Sequence, residues 1–282
     1  MPIKTVGVCG AGTMGRGIAQ TAAQASFSVL LYDVNKDILS SAKESIEDNL
    51  RSLVKKEKIT NSDAEKIAAS ITYTTAIEDC KADIFIEAIV EKTEAKIDLF
   101  NKLAEQNEPS CILASNTSSL SITAIAKEIA EPERVIGLHF FNPATLMKLV
   151  EIVSSSWTSK QTIHKAQSFI SKLGKTAVLC SDAPGFIVNR VARPYYIEAL
   201  RQVESGASTY EQIDRLLEAS GFKMGPFKLM DLIGNDINFA VSCSVYEQLH
   251  QVERLKPSYI QQQLVREGNW GKKSGKGFYP YK

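Results

Sequence analysis

The sequence predicts an α/β domain built on a mostly parallel sheet, followed by a smaller all-α domain. Three observations carry this. Short apolar runs alternate with helical patterns through the first half of the chain, which is the signature of βαβ units around a parallel sheet. A glycine-rich turn, Gly10-Ala11-Gly12-Thr13-Met14-Gly15, joins the first strand pattern to the first helix pattern. After Ala183-Pro184-Gly185, helical patterns dominate and strand patterns nearly vanish. The boundary therefore falls near Pro184, giving domains over 1–183 and 184–282.

Taken in order, Lys4 to Cys9 reads as a strand, Met14 to Ala25 as a helix and Ser28 to Tyr32 as a strand. A long amphipathic stretch runs from Lys36 to about Lys56. Asp83 to Ala88 and Ile112 to Ala114 look like buried strands, each followed by a helical pattern, Lys92 to Gln106 and Ser121 to Ala130. Val135 to Phe140 is a further strand, and Lys148 to Val153 and Thr176 to Cys180 are two more β-like runs. Beyond the boundary, Val188 to Glu204, Tyr210 to Ala219, Pro226 to Leu249 and Pro257 to Arg266 read as helices.

The bulk numbers narrow the class. Of 282 residues, 44% are hydrophobic and 23% charged, with a net charge of +1. That is enough apolar material for a large core, and the even charge balance argues against nucleic-acid or membrane-surface binding. The five cysteines, Cys9, Cys80, Cys111, Cys180 and Cys243, are scattered and odd in number. Reduced thiols packed as small core residues are expected, with neither a disulfide framework nor a metal site. Met1-Pro2-Ile3-Lys4 leads straight into a strand pattern without the features of a leader, and no apolar run reaches membrane-spanning length. A cytoplasmic protein is expected.

The glycine turn has the form G-x-G-x-x-G. The first glycine permits the tight turn, the second lets backbone approach a pyrophosphate, and the third lets helix and strand pack closely. The helix it opens turns free N–H groups and its positive dipole end toward the phosphates. Such a motif alone is weak, because glycine-rich turns are common. Here it follows a strand, opens a helix, and a second strand ends at Asp33, 18 residues beyond Gly15. A carboxylate at about that spacing accepts the ribose hydroxyls of a dinucleotide. A Rossmann-type domain is predicted. Asp33 would repel a 2′-phosphate and no arginine follows it in Val34-Asn35, so NAD is favoured over NADP.

The chain has three histidines. His164 and His250 lie among polar neighbours and read as surface residues. His139 follows the apolar run Val135-Ile136-Gly137-Leu138, at the strand end where open α/β sheets bind ligands. Position alone leaves a structural histidine as the alternative. If residues 142–147 reverse the chain, partners whose numbers sum to about 290 face each other, which pairs His139 with Glu151. A carboxylate against an imidazole fixes its tautomer and stabilises the imidazolium, as a general base requires.

The segments Ser115-Asn116-Thr117-Ser118-Ser119-Leu120, His139-Phe140-Phe141-Asn142-Pro143, Met147-Lys148-Leu149-Val150-Glu151 and Pro184-Gly185-Phe186-Ile187-Val188-Asn189-Arg190 resemble the 3-hydroxyacyl-CoA dehydrogenase family, most of all its short bacterial 3-hydroxybutyryl-CoA members. The resemblance runs from the glycine motif to Ser274-Gly275-Lys276-Gly277-Phe278-Tyr279. It implies that His139 is the general base and Glu151 its orienting partner, and that Ser118 and Asn189 hydrogen-bond the reacting oxygen. It implies NAD contacts at Glu91, Lys96, Ser118, Asn142 and Lys273, and CoA-thioester contacts at Asn49, Lys56 and Ser118. It also implies fatty-acid metabolism, a helical domain that completes the substrate cleft, and a homodimer.

Unaided, several of these residues have plainer readings. Ser118 and Asn189 read as loop or cap residues, Glu91 and Lys96 as helix-surface charges, and Asn142-Pro143 as a turn. Lys55-Lys56-Glu57-Lys58 reads as a solvated charge run. Asn49 stands where many members of the family carry Ser. The second half also resembles members that act on 3-hydroxyadipyl-CoA. Arg193 is the candidate for a distal carboxylate there, although a helix-surface or interface position is the simpler expectation. Two further readings stand beside these. One is a Rossmann dehydrogenase of free hydroxy acids, which typically uses a catalytic lysine. The other is a non-catalytic NAD-binding protein on the same scaffold.

Overall fold

The computed structural model describes residues 3–281; the expectation for Met1-Pro2 at the start of the chain lies outside them. The chain divides into two compact units, Met1–Asp182 and Ala183–Lys282.

The first unit holds one eight-stranded sheet in the order β3-β2-β1-β4-β5-β6-β7-β8. Its strands are β1 (Thr5–Cys9), β2 (Ser28–Tyr32), β3 (Ile71–Thr74), β4 (Ile84–Glu87), β5 (Ile112–Ser115), β6 (Val135–Phe140), β7 (Leu149–Ser154) and β8 (Thr176–Ser181). Neighbours pair in parallel, except that β7 runs antiparallel to β6. All residues of β4, β5 and β6 are buried, as expected of strands covered on both faces. The helices are α1 (Thr13–Gln24), α2 (Lys36–Lys55), α3 (Asn61–Ala69), α4 (Thr93–Gln106), α5 (Ile122–Lys127) and α6 (Lys160–Lys172). Side-chain caps start several of them: Asn35 accepts from the Asp37 and Ile38 amides at α2, and Thr60 and Asp63 form a capping box at α3. Val6, Val8, Ile18, Ile86, Leu138 and Phe169 belong to one continuous core. Strand order reverses across β1 and β4, which opens a crevice at the carboxyl ends of those strands where ligands bind in such sheets.

The second unit is helical: α7 (Val188–Glu204), α8 (Tyr210–Ala219), α9 (Pro226–Ile233), α10 (Asn235–Gln248) and α11 (Tyr259–Arg266). Its core gathers Tyr196, Leu200, Phe227, Met230 and Phe278. Buried Asp231 holds the C-terminal tail against α9. It accepts from Asn235 Nδ2 (2.7 Å), the amides of Phe278 and Tyr279 (both 3.0 Å) and the Tyr281 hydroxyl (3.0 Å).

Three expectations need correction. The helix read over Pro226 to Leu249 is two helices, broken at Gly234, whose φ of +104° no helix accommodates. Helix α3 and strand β3 were not foreseen. Arg193 is not a surface residue but 3% exposed. Among the described residues, no helix is long and apolar enough to cross a membrane.

Candidate active site

The three glycines of the β1–α1 turn do different things. Gly10 has φ +95°, and a Cβ there would lie 2.6 Å from the carbonyl oxygen of Ala88, the residue that follows β4. A Cβ on Gly15 would lie 1.7 Å from the Gly10 carbonyl oxygen, so only glycine lets α1 leave β1 at this angle. A Cβ on Gly12 would meet nothing within 4 Å. The turn is thus closed by Gly10 and Gly15, and open above Gly12.

Gly12 is also the N-cap of α1, with no side-chain cap and no acidic residue in the first turn. Unopposed N–H groups and the dipole end face that open space, which suits an anion such as a pyrophosphate. Asp33 follows β2 directly. Its Oδ2 accepts from the Ala11 amide (2.8 Å) and its Oδ1 from the Asn35 amide (2.9 Å). A carboxylate offers about four acceptor positions, so two amides fix its orientation and leave capacity for a diol. These residues fit an adenine dinucleotide without a 2′-phosphate.

Across the crevice, the end of β4 carries a buried ionic network. Glu87 Oε1 lies 2.6 Å from Lys96 Nζ and 2.7 Å from the Ile89 amide, while Oε2 accepts from Ser115 Oγ at 2.7 Å. Lys96 Nζ reaches Glu91 Oε2 at 3.0 Å. Glu91 Oε1 in turn accepts from Thr117 Oγ1, the Ser118 amide (3.3 Å) and Ser119 Oγ (3.3 Å). Burial pushes the Glu91 carboxyl up, but Lys96 and the hydrogen bonds from Thr117 and Ser118 outweigh it, so it titrates below its ordinary value. The network ties the loop after β4 to the loop after β5, which carries Ser118. Lys96 is 1% exposed, contrary to the surface reading its helical position suggests.

His139 is the fifth residue of β6 and stands in register opposite Glu151 on β7. Its Nδ1 lies 2.6 Å from Glu151 Oε2, with both side chains buried. An ionised carboxylate only accepts, so Nδ1 carries the hydrogen and donates it. That leaves the Nε2 lone pair as the basic position. The His139 ring packs on Phe141 with centroids 4.5 Å apart, and Asn116 Oδ1 accepts from the Phe140 amide at 2.9 Å, joining the ends of β5 and β6. Asn142 follows in an exposed loop, where Lys175 Nζ holds the Ala144 and Met147 carbonyls at 2.6 and 2.7 Å.

Asn49 is on α2, where its Nδ2 donates to Gln20 Oε1 (3.1 Å), and exposed Lys56 caps the end of the same helix. In the second unit, Asn189 is the second residue of α7, and Lys273 Nζ pairs with Asp236 at 2.7 Å beside the Trp270 ring. His164 and His250 are exposed. Of the five cysteines, Cys9, Cys80 and Cys111 are buried, and burial pushes the last two to about 12.

Glu87, Ser115, Thr117 and Asn116 escaped the sequence reading. A signal for Glu87 was present: it ends the apolar run Ile84-Phe85-Ile86, as Asp33 ends that of β2, and an acid at a buried strand end calls for a partner.

The glycine turn, the Asp33 carboxylate and the crevice at the strand-order reversal together define a Rossmann-type dinucleotide-binding domain, here followed by a helical domain. A family model described as 3-hydroxyacyl-CoA dehydrogenase, NAD binding domain, matches residues 5–183, and one described as its C-terminal domain matches residues 185–281. The chain belongs to the 3-hydroxyacyl-CoA dehydrogenase family. It is 48% identical over 282 residues to the 3-hydroxyadipyl-CoA dehydrogenase of Escherichia coli K12, a match that covers 99% of this chain and 59% of that one. Against the mitochondrial hydroxyacyl-coenzyme A dehydrogenase of Sus scrofa the identity is 42%, covering 99% and 92%. The crystal structure of a 3-hydroxybutyryl-CoA dehydrogenase from Escherichia coli K12 superposes with a TM-score of 0.96 at 48% identity, covering 100% of this chain and 60% of that one. The chain thus spans about three fifths of the length of the Escherichia coli proteins it matches.

Proposed function

We propose that this chain catalyses the NAD-dependent, reversible oxidation of (3S)-3-hydroxyacyl-CoA thioesters to 3-oxoacyl-CoA. The observation that carries this is the buried His139–Glu151 pair at the carboxyl edge of the sheet, with Nδ1 held 2.6 Å from the carboxylate. Glu151 fixes the tautomer, so that Nε2 takes the proton of the substrate hydroxyl. The imidazolium formed is then balanced by the carboxylate it already touches. Bound NAD⁺ supplies the hydride acceptor.

The backbone above Gly12 and the Asp33 carboxylate hold the cofactor in this reading, with Ala11, Thr13, Met14, Glu91, Lys96 and Asn142 around it. Ser118, whose loop is held by Glu91, positions the reacting oxygen. The roles of Asn189, Lys273, Asn49 and Lys56 rest on the resemblance alone.

The acyl group is short. Relatives are named for 3-hydroxybutyryl-CoA and for 3-hydroxyadipyl-CoA, each at 48% identity. We further propose a homodimer formed through the second unit, which exposes Val191, Leu216, Phe222, Leu232 and Ile237; light scattering on the purified protein tests it. Five unpaired cysteines suit the cytoplasm.

The test of the activity is NADH absorbance in the presence of acetoacetyl-CoA. Its oxidation at a rate of 1–10³ per second, as enzymes ordinarily achieve, is expected. NADH binding without turnover of any 3-oxoacyl-CoA would leave a non-catalytic nucleotide-binding protein.

A further inference from the structure

Asn116 follows β5 directly and ties together the carboxyl ends of three neighbouring strands. Its backbone amide donates to the Glu87 carbonyl at the end of β4 (2.8 Å). Its side-chain Oδ1 accepts from the Phe140 amide at the end of β6 (2.9 Å). A backbone N–H only donates, so the Phe140 bond settles which end of the side chain is oxygen. The other end, Nδ2, is a donor held in a fixed direction. Among the described residues none accepts from it, and it is not one of the buried polar atoms closed to solvent. Asn116 itself is half-buried. A built and oriented donor thus opens at the carboxyl edge of the sheet, two residues before Ser118.

The strand order says what that donor faces. Along the sheet the strands run β2-β1-β4-β5-β6, about 4.8 Å apart. Asp33 follows β2, the open turn at Gly12 follows β1, Asn116 follows β5, and His139 lies near the end of β6. A dinucleotide with its adenosine ribose at Asp33 and its pyrophosphate at Gly12 sends its second half away from β2. That half crosses β4 and reaches β5, two strands or about 10 Å from β1. Nδ2 therefore stands at the nicotinamide end of the cofactor, one strand short of the imidazole. Nicotinamide has a single strong acceptor, its carboxamide oxygen, since the lone pair of the ring nitrogen is not available.

We propose that Asn116 binds the nicotinamide end of the cofactor, with Nδ2 donating to the carboxamide oxygen while the Phe140 amide holds Oδ1. This rests on the reading in which the glycine turn and Asp33 hold NAD. One side chain then joins the loop that carries Ser118, the strand that carries His139 and the ring that accepts the hydride. A ring held at its carboxamide cannot turn about its bond to the ribose, so one face stays toward the substrate. The donor also selects. A cofactor whose substituent accepts hydrogen bonds poorly leaves Nδ2 unpaired in a site that the bound ring has closed to water, which is the arrangement that discriminates between otherwise similar ligands.

The test crosses a change in the protein with a change in the ligand. Calorimetry on the full chain measures the Kd of NADH and of its thionicotinamide analogue, in which sulfur, a weak acceptor, replaces the carboxamide oxygen. One neutral hydrogen bond predicts that wild type binds NADH about fivefold more tightly than the analogue. Asn116→Ala should bring the two within about twofold. That variant also breaks the bond to Phe140, so Asn116→Asp is measured beside it. Aspartate keeps an acceptor for the Phe140 amide and puts a second acceptor where the donor stood, and the reduced nicotinamide is uncharged, so no ion pair arises. Asn116→Asp should melt within a few degrees of wild type and lose the same selectivity, an outcome that a purely structural role for Asn116 does not produce. Equal affinity of wild type for both ligands, or a preference that survives both substitutions, would overturn the assignment. So would unchanged NADH affinity with a raised KM for acetoacetyl-CoA in Asn116→Asp, because the donor would then serve the thioester. The predicted selectivity in a protein that turned over no 3-oxoacyl-CoA would support Asn116 and sink the dehydrogenase reading.

Discussion

Replacing Lys96 with Met removes the cation that balances Glu87 and probes the network beside the crevice. Lys96 Nζ lies 2.6 Å from Glu87 and 3.0 Å from Glu91, and the Lys96 and Glu87 side chains are 1% and 0% exposed. At an effective dielectric of about 20, unit charges about 3 Å apart attract by about 6 kcal/mol. Desolvating two buried ions costs several kcal/mol each, so the intact pair contributes little net stability. Removing one partner is different, because the remaining ion keeps its desolvation cost and loses its counter-charge, typically about 3–5 kcal/mol. Glu87 retains its bonds from Ile89 and Ser115, which places the expected loss near the lower end, about 3 kcal/mol. For a unit of this size that is a fall in Tm of about 6–12 °C, measured by scanning calorimetry at neutral pH. The double variant Lys96→Met/Glu87→Gln should recover most of it, since a neutral amide needs no counter-ion. A loss below about 1 kcal/mol, the size of an exposed pair, would refute the reasoning, as would a double variant no more stable than the single.

The glycine turn predicts a contrast. Gly12→Val should leave Tm nearly unchanged while weakening NADH binding at least tenfold, because its side chain meets no protein atom and fills the space left for the cofactor. Gly15→Ala should lower Tm as well, since its Cβ falls on the Gly10 carbonyl; fluorescence titration and calorimetry on both variants separate the two effects. Asp231→Ala strips four donors of their acceptor and should cost about 3–5 kcal/mol, seen as faster tryptic cleavage at Lys272, Lys273 and Lys276; unchanged cleavage would mean the tail is held elsewhere. The Glu91 carboxyl is depressed in the fold, so its stabilisation is present above the unfolded value of about 4.3 and is lost as pH falls through the lower folded value. The Tm difference between wild type and Glu91→Gln should therefore be constant near neutrality and vanish in acid, and a difference independent of pH would contradict the assignment.

The legibility of this chain followed how local each signal was. The Gly10–Gly15 turn and Asp33 were readable because backbone sterics and one fixed spacing specify them. The facing of His139 and Glu151 was readable because a tight reversal fixes antiparallel register. Strand β3 was not: four residues, Ile71-Thr72-Tyr73-Thr74, with one fully buried, carry too little alternation. Helix α3 carries a capping box at Thr60 and Asp63, a start signal that is local to the sequence. The split at Gly234 was harder, because an isolated glycine inside a helical pattern is tolerated as often as it breaks one. Lys96 and Arg193 went wrong for a single physical reason. Long basic side chains on helices are nearly always solvated, and only the tertiary arrangement brings Glu87 to the first and leaves the second without an acid.

The proposed chemistry depends on the His139 imidazole taking the hydroxyl proton, and the most direct measurement is kcat and NADH affinity for His139→Gln. Glutamine preserves bulk and polarity but offers no base. Turnover of acetoacetyl-CoA should fall by about 10²–10⁴-fold, the usual worth of a positioned base, with the Kd for NADH changed by less than about twofold. Turnover within a few fold of wild type would remove His139 from the chemistry, and a parallel collapse of NADH affinity would show that the substitution had damaged the crevice instead.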